Sequence, residues 1–179
     1  MPYEDQLRRI VRAAPPLMAA LAAVRSLGLQ DWCIGAGAVR AAVWDALHGY
    51  AAPSMVDDID VVHFERAAQV SDAELAARLS ALLPGPRWEV TNQATVHEWL
   101  PGVPFASTEE GIASWPEFAT CVGIRLEAGD ALSIIAPHGL DDLFGLRVRR
   151  NPARVSEATY RERVASKRFA ARWPLLDVA

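Results

Sequence analysis

Residues 32–64 read W-C-I-G-A-G-A-V-R-A-A-V-W-D-A-L-H-G-Y-A-A-P-S-M-V-D-D-I-D-V-V-H-F, and their pattern decides the fold. The apolar run Asp31 to Gly35 predicts a short buried strand that enters a small-residue turn at Ala36-Gly37. Val39, Val43, Trp44 and Leu47 then recur at helical spacing, and the helix is expected to end near His48-Gly49. Tyr50 to Val56, with Pro53 and Ser54, reads as a loop. Asp57 to Phe64 predicts a second strand. On it Asp58, Asp60 and Val62 share one face while Ile59 and Val61 share the other.

Outward from this unit the chain alternates helices and strands. Tyr3 to Ala13 has the spacing of a short amphipathic helix, and Pro15-Pro16 opens a second one that Gly28 stops. Ser71-x-x-Glu74 and Ser107-x-x-Glu110 have capping-box spacing and predict two more helix starts. Trp88 to Asn92 predicts a third strand. Ala94 to Ala106, with Pro101, Gly102 and Pro104, reads as a loop or distorted edge. Ala119 to Leu126 and Ala131 to Ala136 resemble a hairpin. Ser156 to Arg172 is expected to form one final arginine-rich helix. We read residues 1–179 as a single domain, with N-terminal helices over 1–30, a sheet-containing core over 31–150 and a C-terminal helix within 151–179.

Composition narrows the function classes. The 179 residues are 51% hydrophobic and 22% charged with a formal net charge of −4, values ordinary for a soluble globular protein. That charge does not indicate nucleic acid as a partner, although a local basic patch is compatible with it. No run approaches the roughly 18 apolar residues that span a bilayer, and the charged start lacks a signal peptide's apolar segment. A cytoplasmic protein without a membrane partner is expected. The two cysteines, Cys33 and Cys121, lie in apolar runs and read as buried thiols.

The chemistry concentrates on Asp58 and Asp60. Two carboxylates projecting from one face repel unless a cation, a proton or a basic side chain lies between them. Magnesium prefers oxygen ligands and commonly uses one or two carboxylates plus substrate phosphates. The small-residue turn Gly35, Ala36 and Gly37 at a helix start lets backbone N–H groups approach a phosphate, and Arg40 follows one helical turn later. The turn matches neither G-x-G-x-x-G nor Walker A. The pairing of the turn with the acid-x-acid strand is more telling than either half.

Ala36-Gly37-Ala38-Val39-Arg40, Leu47-His48-Gly49 and Asp58-Ile59-Asp60-Val61 resemble the G-G-x-V-R…L-x-G…D-x-D signature of the DNA polymerase beta nucleotidyltransferase superfamily. V-W-D-A-L-H-G-Y, T-N-Q-A, S-W-P-E-F-A-T, G-L-D-D-L-F and the final R-W-P-L-L resemble, more closely, a bacterial nucleotidyltransferase-like family within it. The resemblance implies an α/β fold of α+β type, a small mixed sheet flanked by helices. It implies Mg2+ or Mn2+ on Asp58 and Asp60, and a nucleoside triphosphate against Gly35, Ala36, Gly37 and Arg40. It also implies a third carboxylate on a following strand, for which Glu89 fits best, its alternative being an exposed strand glutamate. The implied reaction is attack of an unidentified acceptor's hydroxyl on the α-phosphorus. Ala36, where the superfamily carries glycine, and Ala41, where it often carries an acid, are departures. They leave open a non-catalytic nucleotide-binding or regulatory module that retains the fold. The arginines from Arg147 to Arg172 could steer triphosphate to the site; we read them in preference as a solvated helix face.

Overall fold

The computed structural model describes residues 2–98, 102 and 104–178. Helices α1 (Pro2–Arg12) and α2 (Pro15–Ser26) precede strand β1 (Trp32–Gly35), which runs directly into α3 (Ala36–Leu47). Strand β2 (Ile59–His63), helix α4 (Asp72–Leu82) and strand β3 (Trp88–Asn92) follow, then α5 (Thr108–Ala113). The hairpin of β4 (Gly123–Leu126) and β5 (Leu132–Ile135) leads to the short α6 (Asp141–Phe144) and β6 (Arg147–Val148). Helices α7 (Glu157–Lys167) and α8 (Phe169–Arg172) and strand β7 (Asp177–Val178) close the described chain.

The main sheet has five strands in the order β3-β2-β1-β4-β5. It is mixed: β2 and β3 are parallel, joined through α4, while β1 is antiparallel to both β2 and β4. Helix α3 packs across β1, β2 and β4, with α1 and α6 against it. The fold is therefore the small mixed sheet flanked by helices that the sequence implies.

The alternation along β2 divides two apolar clusters. Val61, with Ile59 beside it, packs into the large cluster built on Trp32, Val39, Trp44 and Trp88. Val62 packs with Cys33, Ile112 and Cys121 in a small second cluster. Asp60 alternates onto the side of Val62. Both predicted serine caps are present, Ser71 accepting from the Glu74 N–H and Ser107 from the Glu110 N–H, each at 3.2 Å.

Several boundaries differ from expectation. Asp58 precedes β2, because the ladder to β3 starts at the Ile59–Trp88 pair. The expected turn at Ala36-Gly37 is already the first turn of α3, with Ala36 at φ +45°. The first hairpin strand is short because residues Phe118–Thr120 form a 3₁₀ turn. The expected single C-terminal helix is broken: Arg168 takes φ +50° between α7 and α8, letting Phe169 and Trp173 bury into the core. Trp99, Leu100, Pro101 and Val103 of the expected 94–106 loop lie outside the described residues.

Gly35 is the tightest point of the β1–α3 junction. A Cβ there would sit 2.5 Å from the Trp115 ring and 3.0 Å from the Val122 carbonyl oxygen. Gly35→Ala is expected to cost about 1–3 kcal/mol of stability, the usual range for overpacking, measured by urea denaturation.

Candidate functional site

The β1–α3 junction and the start of β2 open onto one cavity of about 230 Å³. Its acidic wall carries Asp57, Asp58, Asp60 and Glu89, and its basic side carries Arg40, Arg163, Lys167 and Arg172. Ala36, Gly37 and Trp115 complete the part nearest the helix start. Of the residues singled out from sequence, Ala36, Gly37, Arg40, Asp58, Asp60 and Glu89 come together here. Gly35 lies just behind, under the Trp115 ring.

Sheet register explains the acidic wall. Asp60 is the direct neighbour of Glu89 across the parallel β2–β3 pair, so both carboxylates leave the same face. Asp58, just before the strand, is drawn in by Arg87. The Arg87 Nη2 lies 2.7 Å from Asp58 Oδ2 and 2.7 Å from Glu89 Oε1. Asp60 has no such partner and is pushed up to about 6, first by burial and then by the charges of Asp58 and Glu89; the Gly37 amide offsets part of this. Among the described residues, no group of three His, Cys, Asp or Glu side chains converges tightly enough to hold a metal alone. The donor set available is hard carboxylate oxygen on Asp58 and Asp60, to be completed from outside the protein, which is the pattern of magnesium–phosphate sites.

The basic side is built around Arg40. Its guanidinium carbon lies 4.7 Å from the Phe169 ring centroid, 5.2 Å from Trp44 and 5.9 Å from Trp173. These faces stabilise a cation, and the rings hold one another in edge-on contacts. Arg40 is only 6% exposed, and its Nε has no hydrogen-bond partner among the described residues. Burial lowers it to about 10, so it remains a cation at neutral pH. Among the described residues no carboxylate bonds this desolvated guanidinium, which the charges of Glu117 and Asp60 favour from a distance, so its outer nitrogens are available to an anion in the cavity. A Cβ placed on Gly37 meets nothing closer than 3.9 Å, where Asp60 Oδ2 and Val56 lie, so small residues keep that mouth of the cavity open.

The C-terminal arginines depart from the solvated face expected of them. Arg161 does pair with Glu157 on the helix surface. Arg163, however, bonds Glu117, which is wholly buried, and Lys167 one turn later lines the cavity. Arg172 donates to the Met55 carbonyl. The spacing of Arg163 and Lys167 was the available signal; Glu117, the partner of Arg163, is 46 residues away and gave none. Arg87 was missed altogether.

The remaining polar candidates have structural work. Asn92 is clamped at the end of β3, its Oδ1 accepting from the Glu65 N–H at 3.0 Å and the Ala94 N–H at 3.1 Å. His48 Nδ1 bonds the Trp44 carbonyl at 2.7 Å, as a helix-end residue should. Asp142 accepts from Arg149 Nε at 2.9 Å.

Residues 22–178 match the model of a family described as nucleotidyltransferase. No curated protein matches the sequence. An NMR structure described as revealing a CCA-adding enzyme head domain is 28% identical, with TM-score 0.84, covering 98% of this chain and 95% of that one. A tRNA-processing enzyme complex is 22% identical, with TM-score 0.56, covering 89% of this chain and 43% of its own. The Thermotoga maritima CCA-adding enzyme complexed with tRNA is 18% identical, with TM-score 0.51, covering 83% of this chain and 35% of its own. The chain therefore spans under half the length of these last two, and its likeness to them is one of fold.

The raised Asp60 carboxyl fixes the sign of a pH dependence. In the folded protein it takes up protons near pH 6, against about 3.8 when unfolded, so without metal it destabilises at neutral pH and ceases to as pH falls. Asp60→Asn is expected to raise the metal-free melting temperature at pH 7.5. The gain should shrink between about pH 6 and 4, as followed by calorimetry across a pH series.

Proposed function

This chain belongs to that nucleotidyltransferase family, and from this premise we propose that it binds a nucleoside triphosphate with Mg2+ or Mn2+ and transfers the nucleotidyl group to an acceptor hydroxyl. The observation that carries the reading is that Asp58 and Asp60 share one cavity with the buried Arg40, which bonds no carboxylate among the described residues.

In this reading Asp58 and Asp60 hold the metal, and Arg40, Lys167 and Arg172 take the phosphates, with the small residues Ala36 and Gly37 allowing close approach. A divalent ion bound there supplies Lewis-acid stabilisation of charge on the phosphoryl oxygens. The Asp60 carboxyl, costly to ionise in the free protein, is offset by that positive charge. The basic residues orient the β and γ phosphates so that pyrophosphate leaves in line with the incoming oxygen. The acceptor hydroxyl oxygen forms the new bond to the α-phosphorus as the bond to pyrophosphate breaks. Glu89, in register beside Asp60, is in place to receive the hydroxyl proton. Gly35 acts behind the site by setting the course of the chain into α3. Trp115 closes the side over it.

A second reading, a nucleotide-binding module without transfer, draws support from two features. Ala36 holds φ +45°, a conformation that disfavours any residue with a Cβ, and Arg87 ties up Asp58 and Glu89 together. Pyrophosphate release with a broad acceptor panel separates the two readings: binding with no release under any acceptor favours the module.

Thermal melting with each of the four ribonucleoside triphosphates, with and without Mg2+, tests the site. A metal-dependent rise is expected, about 2.7 kcal/mol at a hundredfold excess over Kd, and Asp58→Asn should abolish it with the fold intact. No shift with any nucleotide would overturn both readings. Arg40→Met should leave the ligand-free protein as stable as before or more so, since it removes a desolvated charge, while eliminating the nucleotide shift. Arg87→Gln removes the cation that competes for Asp58 and should tighten Mn2+ about tenfold by electron paramagnetic resonance titration, roughly 1.4 kcal/mol.

A further inference from the structure

The carboxylate cavity adjoins a larger one. A cleft of about 700 Å³ lies between the turn that joins α1 to α2, the outer face of α3, the loop from Tyr50 to Val56 and Gly85-Pro86. Ala41 and Val56 line both cavities, so the cleft and the carboxylate cavity adjoin at these two side chains.

The chemistry of the two cavities differs sharply. Ile10, Leu17, Ala42, Ala46 and Pro53 give the cleft apolar walls, and no lysine or arginine is among its lining residues. Its polar groups are already engaged. Asp45 accepts from the Ser54 N–H at 2.7 Å, the Ser54 hydroxyl at 2.6 Å and Trp173 Nε1 at 2.7 Å. The Tyr50 hydroxyl donates to the Arg172 carbonyl at 2.7 Å. An occupant is therefore held by apolar contact and shape, in a volume within the roughly 300–1,000 Å³ of small-molecule sites. An RNA acceptor would bring phosphates to a wall without cations, against the way nucleic acid is bound.

We propose that this cleft seats the acceptor, a small-molecule alcohol with an apolar body whose hydroxyl extends past Val56 to the carboxylates. The proposal rests on the transferase reading and names its second substrate. The alcohol oxygen bonds to the α-phosphorus, pyrophosphate departs with the electrons of the broken bond, and the hydroxyl proton passes to a carboxylate of the acidic wall. The product is a nucleoside monophosphate ester of the alcohol.

The test uses the whole chain with Mg2+, the triphosphate that binds best, and a panel comprising 1-octanol, 2-phenylethanol, 2-naphthaleneethanol and bulk tRNA. At least one alcohol is expected to shift the Ala42 and Ala46 methyl resonances and to raise pyrophosphate release, with tRNA doing neither. Ala46 is exposed on α3, so Ala46→Trp fills the cleft from a helix surface. It should weaken alcohol binding about tenfold or more, roughly 1.4 kcal/mol, with the nucleotide-induced melting shift unchanged. Failure of every alcohol to bind, unchanged alcohol affinity in Ala46→Trp, or release supported by tRNA alone would each overturn the assignment. The nucleotide shift is measured in the same samples before alcohol is added. Its absence there would instead overturn the transferase reading on which the assignment rests.

Discussion

Two buried charges of opposite sign, neither in an ion pair among the described residues, line one cavity beside the first turn of α3. Arg40 is enclosed by Trp44, Phe169 and Trp173 without a bonded anion, and Asp60 is crowded by Asp58 and Glu89. Each is costly to bury ionised, and the surrounding packing is arranged to bear the cost. The three rings supply Arg40 with π faces in place of water. Asp45 fixes Trp173 through its indole N–H, and the Leu143 carbonyl fixes Trp44 at 3.0 Å. On the other wall, the parallel β2–β3 ladder forces Asp60 and Glu89 side by side. The packing around α3 thus holds two groups in place that would each be more stable ionised in solvent. Sites that bind charged ligands show this conflict with stability.

What the sequence made legible was local. The period of β1, α3 and β2 could be read directly, because alternation and helical spacing are properties of neighbouring residues. The caps at Ser71 and Ser107 were equally visible, since donor and acceptor lie three positions apart. Spacing predicted Asp58 and Asp60 on one face of a strand; both line the cavity, but Asp58 lies before β2 and is paired with Arg87 there. Glu89 was singled out through the family resemblance, and its pairing with Asp60 is a fact of strand register.

The missed features all depend on distant partners. Arg87 acquires its place by reaching Asp58, 29 positions earlier, which no local pattern displays. Arg163 looks like any surface arginine until Glu117 is known to be buried beneath it. Gly35 reads as one small residue of a phosphate-type turn, yet the atoms that require a glycine belong to Trp115 and Val122. The break at Arg168 is silent because apolar residues continue at helical intervals on both sides; the left-handed residue swings Phe169 and Trp173 onto Arg40 where a straight helix would carry them past it.

That break has a consequence for how the protein assembles. Residues beyond Arg168 supply two of the three rings around Arg40, and Trp173 reaches Asp45 across 128 positions of sequence. Contacts of such separation carry a loop-closure cost that local contacts do not. The five-stranded sheet and its carboxylates are built from residues 32–135, whereas Arg163, Lys167, Arg172 and two of the rings around Arg40 come from the segment after Ser156. The lining of the cavity thus belongs to separate stretches of sequence, and only the packing of α8 and Trp173 against α3 completes the surroundings of Arg40.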